Sequence, residues 1–212
     1  MIDGITWFKQ SAFLFQREQS LYIDPWGVTD GSPKADAILL THAHSDHLSP
    51  DDIARIRTDS TAVYATADVA AQLPGPVNVV GPGDAFEVLG YSVDAVPAYN
   101  VVEERLGFHP RSNGWVGYVF TIDGVRYYHA GDTDVIPEME PLSCDVALLP
   151  IGGYYTMDPS EAAEAVKVIG PRLVVPMHFG FIVGDPSYAR RLATLVAPTE
   201  VHVFVPKNPF ER

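Results

Sequence analysis

Thr41-His42-Ala43-His44-Ser45-Asp46-His47 places three histidines and an aspartate within six residues, directly after the apolar run Ala37-Ile38-Leu39-Leu40. A short apolar run bounded by polar residues reads as a buried strand. A strand that ends in such a cluster delivers several side chains to one point. His42 and His44 are two apart, so extended backbone projects both to the same side. Asp46 and His47 follow where the chain must turn, and they reach a second, neighbouring position. Neutral imidazole and carboxylate are ligands that suit zinc, manganese and iron. The chain has 7 histidines in 212 residues. At that composition an H-x-H-x-D-H string arises by chance in roughly 6 of 10,000 shuffled chains, so it reads as a ligand motif rather than a polar loop.

The flanks supply the scaffold. Upstream, residues 5–8, 12–15 and 21–23 are short β-rich runs separated by polar turns, and Asp24-Pro25-Trp26-Gly27 closes the third. Downstream, Ser49-Pro50-Asp51-Asp52 starts a helix that runs to about Arg57, with serine as N-cap, proline in the first turn and acids behind it. Strands are expected at 62–65 and 77–80, with a short helix near 67–72 between them. A hairpin over 86–88 and 91–96 turns at Leu89-Gly90. Residues 97–114 read as a long irregular loop carrying His109, and loops of that length are functional or mobile.

The second half restarts with strands at 115–122 and 125–129, joined by the hairpin signal Asp123-Gly124. Buried strands follow at 146–150 and 173–177. Between them Asp158-Pro159-Ser160-Glu161 is a capping box for a helix that ends at Gly170-Pro171. A last helix from Asp185-Pro186 to about Val196 and a strand at 201–205 complete the chain. Helices outside two central sheets are the economical packing of this pattern. No linker, repeat or low-complexity segment interrupts it, so residues 1–212 are expected to form a single domain.

Composition narrows the function classes. The chain is 47% hydrophobic and 19% charged, enough apolar content for a sizeable core. No apolar run approaches about 18 residues, so no membrane span is expected. Met1-Ile2-Asp3-Gly4 lacks the basic and apolar regions of a secretory signal. The lone Cys144 fits a reducing, cytoplasmic location, and its place before a buried strand reads as structural. A net charge of −13 disfavours a nucleic-acid partner, because phosphate binding relies on Lys and Arg. A small-molecule substrate is therefore expected, with the oligomeric state open.

Further motifs follow the histidine cluster in a fixed order. They are Asn100, Phe108-His109-Pro110, Tyr128-His129-Ala130-Gly131-Asp132-Thr133-Asp134, Pro150-Ile151-Gly152-Gly153 and Pro176-Met177-His178-Phe179-Gly180. In this order the chain resembles the metallo-β-lactamase superfamily, in the metal-dependent hydrolase branch similar to the L-ascorbate-6-phosphate lactonase-like proteins. The resemblance implies an α/β (α+β) fold, the αββα four-layer sandwich, with a binuclear metal site at one edge between the sheets. It implies that His42, His44 and His109 hold one divalent ion, that Asp46, His47 and His178 hold the other, and that Asp132 bridges both. Zinc is favoured, with manganese or iron as alternatives. One departure is visible: Lys9-Gln10-Ser11 stands where relatives often carry Gly-His. It removes no expected ligand.

The chemistry so implied is hydrolysis by a hydroxide bridged between two metal ions, attacking a carbonyl carbon or a phosphorus atom. Asp46 and Asp132 are the catalytic candidates. Asn100, Tyr155 and Thr156, with Tyr154 and Met157, are expected near the substrate. Asn100 can both donate and accept, and residues 152–156 should loop over the site after a buried strand. The expected function is a metal-dependent hydrolase of a small ester, lactone or phosphodiester. The alternative is a non-catalytic, metal-containing ligand-binding domain of the same fold, against which the intact ligand set argues. A two-iron redox role would call for a flavin module that this chain has no room to hold. His129 is open between a supporting and a purely structural role, and His202 reads as structural.

Overall fold

The computed structural model describes residues 1–211. The N-terminal meander forms as β1 (Ile5–Trp7), β2 (Phe13–Gln16) and β3 (Ser20–Ile23), joined antiparallel. The chain then switches to parallel addition: β4 (Ala37–Leu40), α1 (Pro50–Ile56), β5 (Ala62–Ala65), α2 (Ala67–Ala70) and β6 (Asn78–Val79). These strands make one six-stranded sheet in sequence order.

The second half repeats that plan. A meander of β7 (Ala85–Val88), β8 (Tyr91–Pro97), β9 (Val116–Ile122) and β10 (Val125–His129) is antiparallel throughout. It passes into parallel β11 (Val146–Pro150), α3 (Pro159–Ile169), β12 (Leu173–Met177), α4 (Tyr188–Val196) and β13 (Glu200–Val201). The seven strands run in the order β13-β12-β11-β10-β9-β8-β7.

Alternation along the strands sorts the layers, since successive side chains face opposite sides of a sheet. Leu14, Tyr22, Ile38, Leu40, Val63 and Ala65 pack with Ile53, Ile56 and Val69 of α1 and α2. Their neighbours Phe13, Phe15, Leu21, Ile23, Ala37 and Leu39 face the other sheet and share one core with it. Phe15 meets Phe120 and Tyr127 edge-on across that layer, with centroids 5.0 and 5.2 Å apart. Ala162, Ala165, Val166 and Leu192 carry the same core out to α3 and α4. The layer order is the expected αββα.

The parallel strands matter most for the site. Loops that follow parallel strands gather at their C-terminal ends, where α/β sheets place ligands. The cluster 42–47 follows β4, Asp132 follows β10 and His178 follows β12. Tyr118 donates from its hydroxyl to the Leu40 carbonyl at 2.8 Å, tying the second sheet to the strand that leads into the histidine cluster.

Two expectations change. The last strand is two residues long, not five: His202 still donates its N–H to Val174, and the chain then leaves the sheet to bond back to Trp7 and Phe8. Val205, expected inside the strand, is 91% exposed. Residues 97–114 are not a slack loop. Two 3-10 turns, Glu103–Arg105 and Arg111–Asn113, shorten the loop. The buried Arg105 pins it by pairing with Asp134 and Glu161 and donating to the Thr156 carbonyl.

Candidate metal centre

The structure brings all seven expected ligands to one point. His42, His44 and His109 form one group whose donor atoms lie within 4.8 Å of one another, and Asp46, His47 and His178 form a second. Asp132 stands between them. Its Oδ2 lies 3.0 Å from His178 Nε2, 3.2 Å from His109 Nε2 and 4.0 Å from His42 Nε2, while its Oδ1 lies 3.3 Å from His47 Nε2.

A polar cluster this deeply buried needs partners. Buried polar atoms without hydrogen bonds are rare because each costs desolvation energy. Here the Nε2 atoms of His47 and His109 and the Oδ1 of Asp132 have no hydrogen-bond partner and converge on one space. The donor set, five imidazoles and two carboxylates, is that of a divalent transition-metal site. The residues therefore fit a bound metal.

Their outer partners set which nitrogen faces inward. Thr41 donates its hydroxyl to Asp24 Oδ2 at 2.6 Å, so Thr41 Oγ1 accepts from His42 Nδ1 at 2.9 Å. His47 Nδ1 donates to Asp24 Oδ2 at 2.7 Å, and His109 Nδ1 donates to Asn100 Oδ1 at 2.9 Å. Each of these rings thereby turns Nε2 toward the site, the arrangement that outer hydrogen bonds to ligating histidines produce. His44 instead turns Nδ1 inward, 3.2 Å from His42 Nε2.

Charge divides the two groups. Burial, with His47 nearby, holds His42 well below the usual imidazole range, and burial with His109 lowers His44. Both are neutral and ready to ligate. Burial would lower His47 too, but Asp132, Asp46 and Asp24 lift it well above its usual value. His178 rises to about 9, since Asp132 and Asp46 outweigh burial. The same pairing holds Asp46 and Asp132 below the usual carboxylate range against the opposing effect of burial. A metal held by the second group would have to displace those protons.

A cleft of about 310 Å³ opens over the ligands, with Phe108, Tyr155 and Ile182 among its walls. Tyr155 is thus where the sequence put it. Two other expected substrate contacts need correction. Asn100 is buried, and protein takes both ends of its amide: Oδ1 accepts from His109 N and Nδ1, and Nδ2 donates to the Tyr155 carbonyl. It orients a ligand and does not face the cleft. Thr156 is fully buried two residues before the N-cap of α3, its carbonyl accepting from Arg105, and it does not line the cleft. Met157 is buried with it, while Tyr154 stays 62% exposed.

His129 is resolved as a support. Its Nδ1 accepts the Gly131 N–H at 3.3 Å, so its Nε2 donates to the Ser11 carbonyl at 2.9 Å. It thereby braces the turn that presents Asp132. Cys144 is no nucleophile: burial pushes its thiol up to about 12, so the thiolate is scarce.

Three participants escaped the sequence reading. Asp24, taken as a turn residue, is buried and receives Thr41 N, Thr41 Oγ1 and His47 Nδ1. Trp115 packs against His42, His44 and His109 at centroid distances of 4.8, 4.8 and 5.6 Å, and its indole N–H donates to Asp68. Gln10 is the third. Its Nε2 lies 3.2 Å from both Asp46 Oδ2 and His178 Nε2, and its carbonyl accepts the His178 N–H at 3.0 Å. The departure at Lys9-Gln10-Ser11 was the available signal, since an amide in place of imidazole can still donate to Asp46. Gln10→Ala is expected to weaken metal binding about tenfold by freeing the Asp46 carboxylate. Competition with a chromophoric chelator reads this directly, and an unchanged affinity would show that Asp46 needs no such donor.

Comparison with known proteins places the chain in a family. A family profile described as the beta-lactamase superfamily domain matches residues 4–178. A UPF0173 metal-dependent hydrolase of Thermococcus kodakarensis is 37% identical over 89% of this chain and 91% of its own length. A crystal structure from Parabacteroides distasonis superposes with a TM-score of 0.85 at 33% identity, covering 96% of this chain and 92% of that one. The metallo hydrolase Igni18 of Ignicoccus hospitalis gives a TM-score of 0.75 at 27% identity over 96% and 95%. With this fold, these ligands and these relatives, the chain belongs to the UPF0173 metal-dependent hydrolases of the metallo-β-lactamase superfamily.

Proposed function

We propose that the protein hydrolyses a small ester, lactone or phosphodiester with the help of two divalent metal ions, zinc foremost. The observation that carries this reading is the bridging position of Asp132, whose two oxygens face imidazole nitrogens of both ligand groups. His42, His44 and His109 would hold one ion; Asp46, His47 and His178 would hold the other. When bound, such a pair acidifies water near neutral pH and polarises a carbonyl or phosphoryl oxygen.

The chain's own residues supply the rest. Asp46 is partly open to the cleft, so its carboxylate can accept a hydrogen bond from a water placed there while Gln10 donates to its Oδ2, the oxygen that also faces His178. Phe108 and Tyr155 wall the cleft and restrict water around the reacting bond. The volume of about 310 Å³ suits a small molecule and excludes a duplex nucleic acid from the floor.

The test has two steps. Elemental analysis of the purified protein is expected to find about two metal equivalents, both removed by chelation. Chelation should abolish turnover of an ester, lactone and phosphodiester panel, and metal should restore it. A fully loaded protein that turns over none of these bonds would overturn the reading.

A further inference from the structure

A second cavity, of about 630 Å³, adjoins the metal cleft and shares Tyr155 and Ile182 with it. Backbone at Gly152, Gly153 and Gly184 forms part of its wall, and Tyr154, Tyr155 and Tyr188 stand among the side chains that complete it. Gly152 is required: a Cβ would stand 2.6 Å from the His178 carbonyl oxygen, so this wall is also the back of a metal ligand. The cation in the cavity is Arg191 of α4.

Among the described residues, Arg191 lines this cavity without a carboxylate partner, a state it shares with Arg57, which is spent on the Pro74 and Pro76 carbonyls, and with Arg190, neither of which lines the cavity. Arg17, Arg55, Arg105, Arg111, Arg126 and Arg172 each pair with a carboxylate. Arg191 makes no such pair among the described residues. It donates from Nη2 to Ser160 Oγ at 2.9 Å, which steadies the guanidinium between α4 and α3 and leaves its other N–H groups available. Asp158 also lines the cavity and brings its negative charge there, but it makes no pair with Arg191: its Oδ1 accepts the Ser160 and Glu161 N–H groups that begin α3. In a protein of net charge −13, the long-range field repels anions. An unpaired arginine next to the reacting centre is the feature that offsets that repulsion locally.

We propose that this annex is an anchoring subsite for a second, non-scissile anionic group of the substrate, a carboxylate or phosphate bound by Arg191. The scissile bond then lies across the Tyr155–Ile182 boundary, over the metal ligands. The substrate class is a small molecule with an anion at one end and a hydrolysable ester, lactone or phosphodiester at the other. Guanidinium suits this task because its planar fork meets carboxylate and phosphate with two parallel hydrogen bonds. The proposal rests on the hydrolase reading of the adjoining cleft, and its test is a binding measurement that does not need turnover.

The probes are α,ω-dicarboxylates from succinate to suberate, each compared with the monocarboxylate of the same length, titrated calorimetrically into the zinc-loaded protein. One carboxylate is held at the metal ligands and the other reports on the annex. At the best chain length the dicarboxylate is expected to bind at least about tenfold more tightly than its monocarboxylate. Arg191→Ala should collapse that ratio to near one, and Arg191→Lys should keep part of it. Arg191 is exposed, so both variants should melt as the parent does. A ratio near one in the parent at every length overturns the subsite, as does a ratio that survives Arg191→Ala. Dicarboxylate binding through Arg191 without turnover of any ester, lactone or phosphodiester sinks the hydrolase reading and leaves the subsite standing.

Discussion

Asp132→Asn is expected to lower the metal content from about two equivalents to one or none and to cut hydrolysis at least about a thousandfold. Asparagine keeps the size and one oxygen, so the loss reports charge and bridging rather than a cavity. Asp132 faces four imidazole nitrogens at 3.0 to 4.0 Å, and no other carboxylate of the site reaches both ligand groups. An amide in its place offers one weak oxygen donor to one group and an N–H to the other, which repels a cation. Nothing nearby can take over, because the turn is fixed: Gly131 has φ 64°, and a Cβ there would lie 2.8 Å from the Val116 carbonyl oxygen. Excess metal should restore neither occupancy nor rate. Elemental analysis and kcat/KM together decide it, and a variant with full metal and normal kcat/KM would remove Asp132 from the centre.

What the sequence showed clearly was whatever chemistry is local. β4, β5 and β11 were legible because each is an apolar run whose ends are marked by polar or turn-forming residues. The start of α3 was legible because a capping box is satisfied within four consecutive residues. The ligands were legible as a cluster plus ordered motifs. The pairing of His109 with His42 and His44 came from resemblance alone, since its loop has no strand to fix it. The structure shows what fixes it: Arg105, pinned to Asp134 and Glu161, and Asn100, bonded to both His109 N and Nδ1.

The supports were hidden because their partners are distant along the chain. Gln10 acts on residues 36 and 168 positions away. Trp115 looked like the first residue of a strand, and only the assembled edge places it on three imidazoles. Asn100 and Thr156 stand outside the cleft lining for the same reason. Their types suit a ligand, but folding commits Asn100 to His109 and buries Thr156, whose carbonyl accepts from Arg105. The overlong last strand fails differently: alternation at 201–205 is genuine, but pairing with β12 ends at the His202–Val174 bond, and Pro176 beyond it has no N–H to offer.

Asp24→Asn tests the least legible of these supports and is expected to reach both ligand groups at once. Asp24 lies at the end of β3 with φ 47°, a conformation that asparagine tolerates, so the backbone should hold. The side chain cannot. Oδ1 accepts from Thr41 N, and Oδ2 accepts from both Thr41 Oγ1 and His47 Nδ1. An amide has one oxygen for these roles. With its oxygen on Thr41 N, its NH2 faces His47 Nδ1, which must then lose its proton to Nε2, where the metal should bind. Thr41 Oγ1, deprived of its acceptor, can turn its proton toward His42 Nδ1 and drive the same exchange there. One buried substitution thus sets the wrong tautomer on a ligand of each group. Loss of such an outer partner weakens metal binding about 10- to 100-fold, and here the loss applies to both groups. Chelator competition should show it, with activity recovering as metal is raised, unlike Asp132→Asn. If Asp24→Asn binds metal as tightly as the parent, the orientation of His47 and His42 is set by packing, and the hydrogen-bond account given for the site is wrong.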